Sequence, residues 1–169
     1  MSNKKFSRFS SETPEVELPS HSDWFGYFGP KSCAMIAITL ASQLPREFVY
    51  QQASLVYLPS KWQTYGTPLH IMRKILVKMN VKFVHHSDRL TCDWIEDRKY
   101  REFYGMKKPV YMTEAQFKRS NKCDKNKTYI VCNHEHAWVI KNGVTLDPVW
   151  FVENKQNSRR RIEDVIEIC

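Results

Sequence analysis

The stretch "HAWVIKNGVTLDP", residues 136–148, decides how this chain is read. Residues 137–140 and 144–146 are mostly apolar and β-favouring, with Asn142-Gly143 between them. Asn-Gly is the preferred centre of a two-residue type I′ turn, because both positions need positive φ. With that turn, Lys141 pairs with Val144, Trp138 with Asp147 and His136 with Val149. Alternation of side chains then puts His136, Trp138 and Asp147 on one face. His136 and Asp147 become diagonal cross-strand neighbours, roughly 7–8 Å apart at the backbone and within reach of each other's side chains. A carboxylate so placed can orient an imidazole.

Around this hairpin the other elements separate clearly. "TYIVCN" (128–133), "HAWVIK" and "VTLDPVW" read as successive antiparallel strands. "VKFVHH" (81–86) reads as a further strand, and "RIEDVIEI" (161–168) as a final strand or short helix. Upstream, "CAMIAITLASQL" (33–44) sets Cys33, Ile36, Ala37, Leu40 and Ala41 at helical spacing, with Ser32 as its expected N-cap. "PREFVYQQASLVYL" (45–58) begins with Pro45 at an expected first helical position and ends before Pro59. "TPLHIMRKILVKMN" (67–80) repeats that signal with Thr67 as cap and Pro68 behind it. "TEAQFKR" is a short helix capped by Thr113, and "WFGYFGPKS" (24–32) is read as a loop. Helices first and sheet afterwards give an α+β fold, N-terminal helices packed on an antiparallel β-sheet.

Length and composition set the frame. A chain of 169 residues, 42% hydrophobic and 13% aromatic, suits one domain with a real core. Residues 1–22 read as a polar N-terminal arm with no apolar run of a secretory signal, and 23–169 as the domain. No apolar stretch is long enough to span a membrane. Five cysteines without framework spacing point to free thiols in a reducing compartment, the cytoplasm. The formal charge of +8 favours acidic partners, but "RKYR", "KNK" and "SRRRIED" are scattered, so nucleic acid is not the favoured partner. No cofactor motif is present. Cys123, Cys132, His134 and His136 form C-x8-C-x-H-x-H, which lacks the close pairs of structural zinc sites, so no metal is expected. Cys132 is expected to face away from both histidines.

Cys33 is placed where a helix begins, where the dipole and unpaired backbone N–H groups favour a thiolate. Taken singly, Cys33, His136 and Asp147 each have an ordinary reading as core, strand or turn residues. Their order, helix-start cysteine then strand histidine then same-face aspartate, is that of nucleophile, base and orienter. His134 is the competing base, and His136 is preferred for its closeness to Asp147.

The pattern "SCAMIAITLAS…PREFVY…GTPLHIMRKIL…YIVCNHEHAWVIKNGVTLDP" resembles small phage-encoded proteins with a papain-like cysteine peptidase fold. Those proteins carry a "DC-x-x-RA-x-x-x-AT" helix, a second helix near a proline, a "G-x-P-x-x-x-I" helix and a closing "H-x-A-x-x-x-G-x-x-x-D" hairpin. The resemblance covers roughly residues 29–150. It implies a Cys33–His136–Asp147 triad in a thiol-dependent acyl-transfer enzyme: a peptidase, a deamidase or a transglutaminase-like enzyme. The implied partner is a protein or peptide substrate, a host protein among them. Departures are Ser32 for the family's acidic or amide residue and Ile36 for its nearby arginine. Tyr27 stands six residues before the cysteine, where papain-like enzymes place a glutamine. Trp24, Tyr27 and Ser32 are therefore the candidates for an oxyanion donor or cleft wall. The other expectation is a protein that keeps the fold with a degraded site and binds a host protein.

Overall fold

In the computed structural model, which describes residues 21–86, 105, 111–147 and 160–169, Asn142 and Gly143 take φ of 52° and 75°. Lys141 pairs with Val144, Ile140 with Thr145 and Val139 with Leu146. This is the register that the Asn-Gly turn predicts, and it carries Asp147 on to a position opposite Trp138. The proposed partner of His136, Val149, lies outside the described residues.

Among the described residues five strands form one sheet: β1 (Phe83–His85), β2 (Thr128–Cys132), β3 (Ala137–Lys141), β4 (Val144–Leu146) and β5 (Asp164–Ile168). Their order is β1-β5-β2-β3-β4, and every pairing is antiparallel. The last strand is therefore central. Of the stretch 161–168, residues 164–168 are strand, because β5 fills the slot between β1 and β2. Both faces of the sheet are covered. Ile130, Cys132, Ala137, Val139 and Ile166 pack against the helices, while Tyr129, Val131, Trp138, Ile140 and Val165 pack with Met112, Phe117 and Ile162 on the other side. Burial on two sides is why β2 and β3 read as nearly continuous apolar runs.

Among the described residues six helices accompany the sheet: α1 (His21–Phe28), α2 (Cys33–Ser42), α3 (Arg46–Val56), α4 (Pro59–Tyr65), α5 (Leu69–Lys78) and α6 (Glu114–Arg119). Helix α2 is the central one, with every residue from Ala34 to Ala41 buried; a helix apolar all round belongs in a core. It lies on β3 and is flanked by α1, α3 and α5. The fold is α+β.

Several local expectations are corrected. Trp24 to Phe28 are helical rather than loop, since Trp24 and Phe28, four residues apart, meet on one helix face with centroids 6.2 Å apart. Helix α4 went unread. It starts on Pro59 and buries Trp62, whose indole N–H donates to the Phe28 carbonyl at 3.0 Å. Pro45 and Pro68 stand at the cap positions, one residue earlier in their helices than expected. Ser32 holds the cap position of α2 but does not cap it; its hydroxyl donates to the Gly29 carbonyl at 2.6 Å. Thr67 makes no cap either. Thr113 does cap α6, in a reciprocal box with Gln116. The arm falls outside the described residues except for His21 and Ser22, which open α1. Cys92 and residues 98–101 lie outside them too. Among the described residues no helix is long and apolar enough to cross a membrane.

Candidate active site

The site forms where the start of α2 meets the start of β3. Cys33 is the first residue of α2 and is half-buried. The His136 ring shares the cleft wall with it, and that ring and the backbone N–H groups of Ala34 and Ala137 act on its sulfur. Burial pushes the thiol's pKa up, but the bond to His136, its charge and the two N–H donors outweigh burial and bring it below the ordinary value. The shift is toward the thiolate.

His136 precedes β3 by one residue and is held by the loop before it. The Asn133 carboxamide oxygen accepts the N–H groups of Glu135 (2.9 Å) and His136 (2.8 Å), and the Asn133 N–H donates to the His136 carbonyl at 2.9 Å. This closes a tight turn that fixes the histidine backbone. The ring stacks on Trp138 with centroids 5.8 Å apart and planes 12° apart. Alternation along the strand predicts this shared face. Its Nε2 is 2.7 Å from Oδ2 of Asp147, so the nitrogen left to face the thiol is Nδ1. Burial lowers the ring's pKa. The hydrogen bonds and charges of Asp147 and Cys33 overcome this and raise it to about 9. The two shifts are opposite in sign: the thiol is lowered and the imidazole raised, each by the other.

Asp147 follows β4 and its side chain is almost fully buried, 2% exposed. Burial raises its pKa, and the bonds from His136 and Arg160, with their charges, carry it below the usual value. Arg160 donates from Nη1 to the same Oδ2 at 2.9 Å and lies over the Trp138 ring, 3.8 Å from its centroid. Nη2 donates to Oε2 of Glu114 at 3.2 Å. Glu114 is itself buried and pairs with Lys118 at 2.9 Å. Sequence reasoning missed Arg160. It stands within "SRRRIED", which reads as solvated surface, and only the pairing of 111–114 with 160–162 turns it inward.

Cys33 and His136 lie on a cleft of about 810 Å³. Phe25, Tyr65, Pro68, Leu69 and Met72 give it an apolar wall, and Asn133, Glu135, Glu163 and Asp164 a polar one. The structure thus brings together Cys33, His136 and Asp147. It does not bring the three candidate cleft residues with them. Tyr27 turns into an aromatic cluster with Phe28 and Tyr50, under the Arg46 guanidinium at 4.4 Å. Trp24 packs on Phe28, and Ser32 is buried with its hydroxyl committed to Gly29. Helix α1 causes this, because it aims Phe25 rather than its neighbours at the cleft. Donors for a developing oxyanion can come from the first turn of α2, whose N–H groups have no acceptor within the helix.

His134 is mostly exposed and pairs with Glu163 at 3.2 Å and Glu135 at 3.3 Å, so those carboxylates, not Cys33, fix its ring. Cys132 does not face away from the histidines. Residues 132, 134 and 136 are two apart, which alternation places on one side, and all three line the cleft. Burial lifts the Cys132 thiol far above its ordinary range. Among the described residues no group of His, Cys, Asp and Glu side chains is arranged to hold a metal ion. Set against protein-family models, curated proteins and solved structures, the chain matches none of them.

Proposed function

We propose that the protein is a thiol-dependent acyl-transfer enzyme, in which Cys33 is the nucleophile, His136 the acid and base, and Asp147 the orienter. One observation carries this reading: Cys33, at the start of α2, stands with His136 on the wall of an open cleft, and Asp147 holds the His136 ring at 2.7 Å. In the reaction the thiolate attacks an acyl carbon, and imidazolium gives its proton to the departing amine. The thioester is then cleaved by water or a second amine, from which the neutral imidazole takes a proton. Substrates in this reading are proteins or peptides with a carbonyl that enters between the two walls. The papain-like architecture, and a place among phage proteins that act on a host protein, come with the reading and rest on motif resemblance.

The test is acetylation by 4-nitrophenyl acetate, followed by intact-mass measurement and peptide mapping. One acetyl group should appear on Cys33, with a matching burst of nitrophenolate, and none on Cys33→Ala. His136→Ala should slow the burst at least about a hundredfold. Acetylation spread over lysines, with Cys33→Ala behaving as the parent does, overturns the proposal. A second reading, a binding protein that keeps this fold, is favoured by Tyr27, whose ring is packed away from the cleft where papain-like enzymes place an amide donor. A silent Cys33 would select it.

A further inference from the structure

The carboxylate that orients His136 is not left with its charge exposed to the ring. Oδ2 of Asp147 is shared between His136 Nε2 at 2.7 Å and Arg160 Nη1 at 2.9 Å. Arg160 is 14% exposed, and its plane lies on the Trp138 ring that also stacks on His136. A main-chain bond from the Glu114 N–H to the Arg160 carbonyl, 2.8 Å, fixes it. Its other amino group reaches Glu114, whose second partner is Lys118. Among the described residues the formal charges behind the imidazole alternate: Asp147 negative, Arg160 positive, Glu114 negative, Lys118 positive. These four sum to zero. From α2 the ring faces Cys33. His134, Glu135, Glu163 and Asp164 border the same cleft, His134 paired with Glu135 and Glu163, and Asp164 with His85.

We propose that Arg160 is a positioning residue of this site, making the third member a neutral Asp147–Arg160 unit that orients His136 without placing a net negative charge beside it. This rests on the acyl-transfer reading for its purpose. A bare buried carboxylate would hold the imidazolium proton too strongly for the ring to serve as base in thioester cleavage. The arginine retains the hydrogen bond that aims the ring and offsets that charge. Its planar fork serves two carboxylates at once, which a lysine cannot do with the same geometry.

The experiment follows the His136 ring by NMR titration, alongside hydrolysis of the acetylated Cys33. Arg160→Met keeps an apolar stem against Trp138 and removes the charge. It should raise the His136 midpoint by about one unit and slow acetyl-Cys33 hydrolysis about tenfold at pH 7, as less neutral imidazole remains. Arg160→Lys should leave the midpoint near the parent's. A midpoint unmoved or lowered in folded Arg160→Met overturns the proposal, because a purely structural arginine would not govern the ring's titration. Should Arg160→Met not fold, Glu114→Gln carries the test. Removing the Glu114 charge strengthens the hold of the guanidinium on Asp147, so the midpoint should fall, and a midpoint unmoved or raised overturns the proposal. The titration is read without turnover. A raised midpoint with no Cys33 acetylation in the parent would sink the enzyme reading and leave the role of Arg160 standing.

Discussion

At the scale of single residues, one of the described thiols is set apart from the other buried ones. Cys132 and Cys123 are buried with raised pKa values, whereas Cys33 is lowered by His136 and two backbone N–H groups. Iodoacetamide at pH 6 should therefore label Cys33 at least about tenfold faster than Cys123, Cys132 or exposed Cys169, read by peptide mass spectrometry. His136→Ala should abolish that selectivity, and Asp147→Ala should weaken it by loosening the ring. His134→Ala should barely change it, because His134 pairs with Glu163 at the rim. The same imidazole makes stability depend on pH. Its folded pKa, about 9, lies above the unfolded value of 6.5. The stabilisation is therefore complete below pH 6.5 and is lost as pH rises through about 9. The melting-temperature gap between the parent and His136→Gln should narrow steadily over that window, and a gap that widens would refute the charged pair.

At the scale of elements, the hairpin was legible and the helices only partly so. Asn142-Gly143 names its turn because two adjacent positive φ angles admit few residue pairs, and the register then follows by counting. Gly143→Val meets no clash, since an added Cβ would lie 3.7 Å from the Lys125 side chain. Its cost is backbone strain at φ 75°, roughly 1–2 kcal/mol. It should lower the melting temperature and also slow Cys33 labelling, because a slipped register turns Asp147 from the ring. Labelling at the parent's rate would separate the turn from the site. Helix α1 was hidden because glycine and closely set aromatics resemble a loop. Helix α4 was hidden because only seven residues carry it, too few for periodicity to register. The cap of α2 escapes the sequence for another reason: Ser32 has a competing acceptor in the Gly29 carbonyl, 2.6 Å away, that no spacing rule reveals.

At the scale of the whole molecule, the α+β class followed from the order of helices and strands, while the strand order did not. Period-2 patterning says that residues 164–168 form a strand, but nothing local says that they lie between β1 and β2. Arg160 was lost for the same reason, since its inward turn depends on a partner segment some fifty residues earlier. Charge runs look solvated until a long-range pairing claims them. That topology bears on how the protein is made. A ribosome delivers Cys33 long before β5, and β1 and β2 have no shared edge until residues 164–168 arrive to bridge them. Until Arg160 and β5 are made, the nascent chain carries Cys33, His136 and Asp147 without the strand that ties the sheet together or the guanidinium that offsets Asp147.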